Sequence, residues 1–348
     1  MSRRGSRVRA PSTAPLLSQN VDFRGDRCLV RRRLLPVGRA FLYRLGKRAG
    51  VFLVKVDSNT AVVTICRDDA YFLTRFVQYY GGLFGRNNLY IISHGDEPLV
   101  RELAQGCNIF PVPAIETSQF TMLHWRTKNH LKNALRQWYK HVLVCDVDEF
   151  VVVDPATGMN LRTWLDDAPG RTVYTAMGLE IVHLRDREKD DIGGGILGPR
   201  RHAQVALHYA KPCIVSRPAK IGRGGHYAEY EKLNMPDFLY MFHMKYCDYG
   251  LYVETLNRRN AFIEKQKEVA GDGTVRTNPK WFADGRDDDA VFSAFERRPV
   301  VESFDLSHVR EIMYSTWEQR GDGLWHFHRP EYDELYMLPV RFGGADCA

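Results

Sequence analysis

The chain has 348 residues, of which 44% are hydrophobic and 26% charged, so it can bury a globular core without disulfides or structural metal. No apolar run approaches the roughly 20 residues that span a bilayer, and no apolar segment with a cleavage site follows the basic start, so neither a membrane-spanning nor a secreted protein is expected. Seven scattered cysteines without a CxxC pair argue against a zinc knuckle and predict free thiols in a reducing compartment, the cytoplasm.

The basic residues concentrate at the start of the chain. Residues 1–50 hold thirteen Lys and Arg and two Asp, whereas the rest holds 36 basic and 40 acidic side chains. A mildly acidic body does not fit nucleic-acid binding, which uses a basic face. Residues 1–55 are predicted to form a basic extension, partly disordered, in which 28–45 mix Arg with Leu, Val and Phe. That segment either packs on the body as a helix or contacts anionic lipid at the inner face of the membrane.

Deletion of residues 1–50 is expected to release the protein from anionic vesicles, because each basic residue near an anionic surface contributes about 1 kcal/mol to attachment. Sedimentation with anionic liposomes at low and high salt measures this effect. The lipid hypothesis fails if the full-length protein does not sediment at low salt. It also fails if the shortened chain unfolds, since residues 1–50 would then belong to the core.

The predicted body, residues 56–300, alternates strand and helix patterns. The continuous apolar run at 61–66 predicts a parallel strand covered on both faces, and the spacing of aromatic residues predicts a helix over 70–84. Further strands are predicted at 88–93, 107–112, 141–145, 171–184 and 213–217, and further helices at 98–105 and 120–140. A strand followed by a helix is predicted over 237–264, and a helical C-terminal extension packed on the body over 301–348. This order predicts an α/β fold with an open, mostly parallel sheet and helices on both faces.

Polar clusters follow three of these strands. They are Arg67-Asp68-Asp69, His94-Gly95-Asp96 and Asp146-Val147-Asp148-Glu149. Because open parallel sheets bind ligands outside the carboxyl ends of their strands, all three should face one crevice. Asp146 and Asp148 are two residues apart, and extended backbone would point both to one side, where they could bind a hard cation. The alternative is a pair of solvated acids in a turn.

The residues around this acidic cluster resemble a known family. Residues 131–135 (LKNAL), Trp138 and 141–150 (HVLVCDVDEF) are similar to the approach to the DxDEF signature of family-2-like glycosyltransferases and the related family-92 type. Weaker likenesses lie at 64–73, 211–218, 225–226 and 243–246. The resemblance implies a GT-A-like fold, a nucleotide-diphosphate sugar as donor, and Mn²⁺ or Mg²⁺ as cofactor.

The resemblance also implies roles for single residues. Asp148 would bind the metal, and Asp146 would lie by the ribose and the metal. Glu149, a candidate catalytic carboxylate, would lie either behind them or near the acceptor. His243 is the candidate third metal ligand, as a neutral imidazole, with a packed core histidine as the alternative. Glu180 is the candidate base for the acceptor hydroxyl if the reaction inverts the anomeric centre. The donor-binding set is completed by Asp68, Asp96 and Lys128.

Other functions share parts of this pattern, and the acceptor is left open between a glycan, a lipid-linked molecule and a protein. A nucleotidyltransferase of similar fold would usually carry a Gly-rich, Lys-containing loop after the first strand, which residues 67–70 (RDDA) lack. A non-catalytic peripheral membrane or carbohydrate-binding protein with a degenerate site would not need Asp146, Asp148 and Glu149 together.

Overall fold

The structure is a computed structural model that describes residues 58–114, 120–270 and 288–344. All of them belong to a unit that covers residues 43–348. The predicted basic extension, with its lipid-contact segment 28–45, lies outside the described residues. None of the helices in the described ranges has the length and apolar character that crossing a bilayer requires. The five cysteines in these ranges are free thiols, and four of them are buried, as predicted.

The helices and strands alternate through the first half of the chain, and most of the elements after residue 170 are short strands. In chain order they are β1 (Thr60–Cys66), α1 (Ala70–Phe84), β2 (Leu89–His94), α2 (Pro98–Leu103), β3 (Asn108–Val112), α3 (Phe120–Leu135), β4 (His141–Val144), β5 (Glu149–Val153), α4 (Leu161–Asp167), β6 (Val173–Tyr174), β7 (Met177–Val182), β8 (His202–Val205), β9 (Ile214–Val215), β10 (Leu239–Tyr246), α5 (Tyr249–Ala270), α6 (Asp288–Glu296), β11 (Val300–Val301), α7 (Ser307–Ser315), β12 (Glu318–Gln319), β13 (Trp325–His326) and β14 (Leu335–Met337).

The first sheet has the strand order β3-β2-β1-β4-β9-β6. Its first four strands are parallel, and β9 and β6 complete it in antiparallel pairs. Side chains of β1 alternate between two cores: Val62 packs on the side of α1, and Val63 on the side of α3. The predicted α/β class, the parallel strands and the helices on both faces are therefore confirmed.

A second sheet of six strands, β11-β14-β8-β7-β10-β5, was not predicted as a unit. It is mixed, since β10 pairs antiparallel with β5 and parallel with β7, and β8 pairs antiparallel with β7 and β14. The predicted C-terminal extension contains one helix, α7, but its strand β14 lies inside this sheet and Phe342 is fully buried against Tyr240 and Phe242. The expected boundary at 301 therefore cuts through the second sheet.

The acidic cluster joins the two sheets. Strand β4 ends at Val144 in the first sheet, and β5 begins at Glu149 in the second, so residues 145–148 cross between them. This crossing lies at the carboxyl edge of the parallel strands, where β1 runs into Asp69 and β2 ends at His94. The topology thus brings groups from both sheets to one place.

Candidate functional site

Two lysines hold the carboxylate of Asp146. Lys128 Nζ, from α3, lies 2.5 Å from Asp146 Oδ1, and Lys211 Nζ, from the loop before β9, lies 3.2 Å from Asp146 Oδ2. Burial alone would raise the pKa of Asp146, but the two ammonium groups outweigh it and hold that pKa well below its usual range. Although both carboxylate oxygens contact lysines, 39% of the Asp146 side chain stays exposed.

Glu149 lies beneath this cluster and is fully buried. Its Oε1 contacts Lys211 Nζ, and its Oε2 accepts a hydrogen bond of 2.9 Å from the backbone N–H of Asp146. Burial raises the pKa of the Glu149 carboxyl even though Lys211 lies against it. Of the two predicted positions for Glu149, the one behind the carboxylates fits this placement.

Asp146 and Asp148 do not point to the same partners, contrary to the expectation for extended backbone. Residues 147–148 form a turn, so the two-residue alternation of a strand does not hold there. Asp146 meets the lysines, whereas Asp148 Oδ2 lies 3.4 Å from His243 Nε2. The Asp148 side chain is 17% exposed. The two carboxylates therefore have different partners in this structure, and their joint binding of a metal ion remains a prediction.

His243 lies between two carboxylates. It occupies the same register position on β10 as Glu180 on β7 and Glu149 on β5, and its Nδ1 is 2.6 Å from Glu180 Oε2. Burial lowers the pKa of His243, but Glu180 and Asp148 outweigh it and raise that pKa to about 10. His243 Nε2 lies 3.4 Å from Asp148 Oδ2, beside a carboxylate that is predicted to bind the metal, and the role of His243 as third metal ligand remains a prediction.

Gly178 allows a loop to cover this histidine. A side chain at position 178 would have its Cβ 2.2 Å from the backbone nitrogen of Ala210, so only glycine fits at this point of β7. The close approach brings Tyr209 over His243, with ring centroids 3.6 Å apart and nearly parallel planes. The loop therefore buries the pair of His243 and Glu180.

Replacement of His243 by Ala is expected to lower the free energy of unfolding by about 3 kcal/mol, because it leaves the buried Glu180 carboxylate without its partner. Chemical denaturation of the two proteins measures the difference. The variant Glu180→Gln with His243→Ala serves as control and should be more stable than His243→Ala alone. Unchanged stability combined with a large loss of Mn²⁺ affinity would instead support the ligand role of His243.

The site fits a divalent metal only with help from a bound ligand. Within the described residues, no three His, Cys, Asp or Glu side chains form a ready-made set of metal ligands. Hard carboxylates such as Asp146 and Asp148 nevertheless suit Mg²⁺ or Mn²⁺, and Mg²⁺ usually binds through one or two carboxylates together with substrate phosphates. The two carboxylates that the protein offers as metal ligands, Asp146 and Asp148, match that arrangement.

The structure brings Asp69, rather than Asp68, next to Asp148. Asp69 Oδ1 accepts a hydrogen bond from Phe72 N and caps α1, and burial together with the nearby Asp148 raises the pKa of Asp69 to about 6. The Asp68 side chain is exposed. Asp96 is also exposed and is paired with Arg101 at 2.5 Å. The donor-binding roles of Asp68, Asp96 and Lys128 remain predictions, and of the three Lys128 is the one that contacts Asp146.

Two histidines at the same edge were not assigned a role from the sequence. His124 Nε2, from α3, lies 3.4 Å from His94 Nδ1 at the end of β2. Burial, His94 and Lys128 lower the pKa of His124 to about 3, so it is neutral. His124, Lys128 and Lys132 follow one another at intervals of four residues along α3, so they lie on one face of the helix. This spacing could have pointed to His124 from the sequence.

No family model matches this chain, and no curated protein matches it either. Among solved structures, it is similar to mannose-1-phosphate geranyltransferase from Thermus thermophilus, with 10% sequence identity and a TM-score of 0.24. The match covers 80% of this chain and 74% of that chain. The α/β assignment depends on the sheets described above.

Proposed function

We propose that this protein is a metal-dependent glycosyltransferase that uses a nucleotide-diphosphate sugar, as its resemblance to family-2-like enzymes implies. The observation that carries the proposal is the position of Asp146 and Asp148 on the turn between the two sheets, at the carboxyl edge of the parallel strands. Ligands of such sheets bind at that edge. The cytoplasmic location and the contact with anionic membrane expected from the sequence belong to the same proposal.

The charged groups around Asp146 suit a diphosphate leaving group. As the bond between sugar and phosphate breaks, negative charge grows on the diphosphate, and positive groups fixed in place beforehand stabilise it. Lys128 and Lys211 place two ammonium groups at Asp146, within 2.5 and 3.2 Å of its oxygens. A divalent cation bound at Asp146 and Asp148 would add Lewis-acid stabilisation of the same charge.

Two buried carboxylates, Glu149 and Glu180, hold the groups around Asp146 and Asp148 in place. Glu149 pairs with Lys211 and accepts the backbone N–H of Asp146, so it fixes both the lysine and the start of the turn. Glu180 pairs with His243, which in turn contacts Asp148. Glu180 therefore positions the imidazole, and its role as acceptor base remains a proposal.

A donor-hydrolysis screen tests the proposal. The full-length protein is incubated with UDP-, GDP- and TDP-sugars in the presence of Mn²⁺ or Mg²⁺, and release of nucleoside diphosphate is measured. We expect metal-dependent release from at least one donor. Release of pyrophosphate from a nucleoside triphosphate and a sugar phosphate would indicate a nucleotidyltransferase instead, and binding without turnover of any donor would indicate a binding protein.

A further inference from the structure

A cleft of about 560 Å³ opens between α1, α5 and the glycine-rich loop 191–195. At its inner end, Asp69, Phe72, Leu251 and Thr255 also line a smaller space whose wall includes Asp148. The cleft is therefore adjacent to a small space that reaches the carboxylate proposed to bind the metal. Its volume is in the range of sites that bind small molecules.

The cleft and the lysine cluster approach the acidic turn from different sides. Lys128 comes from α3, which packs on one face of the first sheet, whereas α1, which forms a wall of the cleft, packs on the opposite face. Asp146 contacts the lysines, whereas Asp148 lines the small space that shares four lining residues with the cleft. A donor whose diphosphate lies at the lysines would thus leave the cleft open to a second substrate.

The charges along the cleft balance. Asp69 and Glu254 are matched by Arg75 and Arg258, and Arg258 lies 3.5 Å from Glu254 and 4.0 Å from Asp69. A balanced lining neither attracts an anionic lipid headgroup nor selects a strongly basic or acidic peptide. Neutral hydroxyl groups can bond to either kind of side chain, since they both donate and accept.

The remaining lining groups suit a sugar ring. Thr74, Gln78 and Thr255 offer neutral polar side chains, and Tyr71 adds a half-buried aromatic ring that lies under the Arg75 guanidinium. Tyr71 also fixes the rim, because its hydroxyl and the Arg75 guanidinium both donate to the backbone oxygen of Ile192, at 3.3 and 2.9 Å. The glycine-rich loop is thereby tied to α1 at the mouth of the cleft.

We propose that this cleft is the acceptor subsite and that the acceptor is a neutral carbohydrate, an inference that rests on the proposed glycosyltransferase function. The acceptor hydroxyl would reach the site through the narrow space beside Asp69, Thr255 and Asp148. The donor would occupy the α3 side of the same carboxylates.

The variant Thr255→Phe tests this assignment, because Thr255 lines both the cleft and its inner end. With the donor found by the hydrolysis screen, release of nucleoside diphosphate is measured alone and with a panel of methyl glycosides and disaccharides of neutral hexoses and N-acetylhexosamines. In the wild type, at least one sugar should accelerate release above the rate with water. In Thr255→Phe, the ratio of the rate with that sugar to the rate with water should fall by about 100-fold, since misplacement of a reactant by about 1 Å already costs that much.

Asn257→Phe is the matched control, because it introduces the same side chain on α5 at an exposed position outside the cleft. It should keep the acceleration. If Thr255→Phe does not fold, Gln78→Trp on the opposite wall replaces it. The subsite is wrong if a folded variant keeps the acceleration, and the carbohydrate class is wrong if donor hydrolysis occurs but no sugar in the panel accelerates it. Absence of donor hydrolysis in the wild type would instead contradict the proposed function itself.

Discussion

Replacement of Asp148 by Asn is expected to reduce metal-dependent turnover of the donor by about 100-fold or more, because loss of a residue that merely supports a metal ligand already costs about 10–100-fold. The fold should survive. Asn has the size of Asp, and its side-chain oxygen can still accept a hydrogen bond from His243 Nε2, which lies 3.4 Å from Asp148 Oδ2. Titration calorimetry with Mn²⁺ and nucleotide, together with release of nucleoside diphosphate, measures the loss.

Asp167→Asn provides the matched control, since it makes the same change on the exposed surface of α4. It should leave Mn²⁺ binding, nucleotide binding and turnover unchanged. If Asp148→Asn binds Mn²⁺ and nucleotide as tightly as the wild type, the metal site lies elsewhere. If binding falls together with the cooperativity of unfolding, the substitution has disturbed the pairing with His243 rather than a metal ligand.

The first half of the fold was predictable because each element there carries a local signal. The run TAVVTIC at Thr60–Cys66 is mostly apolar, as in a strand with both faces covered, and Asp69 provides an N-cap for the amphipathic helix that follows. The second sheet carried such signals only in part, since β7 and β10 lie in segments predicted as strands, whereas β5, β8, β11 and β14 were not predicted. Strands of two or three residues, such as β11 and β14, are too short for a period to appear, and their pairing joins segments that are far apart in sequence.

The position of the site was predictable, but its pairings were not. Asp146, Asp148 and Glu149 follow a buried strand, and that placement alone pointed to the carboxyl edge. Residues 147–148 form a turn instead of a strand, so the side chains of the two aspartates do not alternate as in a strand and have different partners. The charge of His243 depends on Glu180, which lies 63 residues earlier and becomes its neighbour only through the pairing of β7 with β10. Tertiary contacts of this kind leave no local pattern.

The contacts of Lys211, which stabilise the fold, could not be predicted from the sequence either. Its residue type could be read from the sequence, but its partners could not, because it reaches Glu149 and Asp146 across 62 and 65 residues. The ammonium is buried, and Glu149 is fully buried. Burial lowers the pKa of Lys211, but the two carboxylates outweigh it and raise that pKa, so the lysine is charged in the folded protein.

Replacement of Lys211 by Met is expected to lower the free energy of unfolding by about 3–5 kcal/mol, because removing one partner of a buried ion pair leaves an uncompensated charge. The shape of the side chain is largely kept, so the loss comes from Glu149. Adding Glu149→Gln removes that charge and keeps an oxygen for the backbone N–H of Asp146, so the double variant should recover at least half of the loss. Urea denaturation followed by circular dichroism measures both differences.

Lys232→Met, the same change at an exposed position, should alter the free energy of unfolding by no more than about 0.5 kcal/mol. Comparing the free energies of unfolding of the two variants shows whether stability falls because a positive charge is lost or because the ion pair of Lys211 and Glu149 is lost. Because Lys211 and Glu149 are in direct contact, their effects should not add, and the coupling should be about 0.5–3 kcal/mol. Additive losses in the double variant would mean that Glu149 is not the group that Lys211 stabilises. The lysine would then act chiefly on Asp146, whose partly exposed carboxylate tolerates the loss better than a fully buried one.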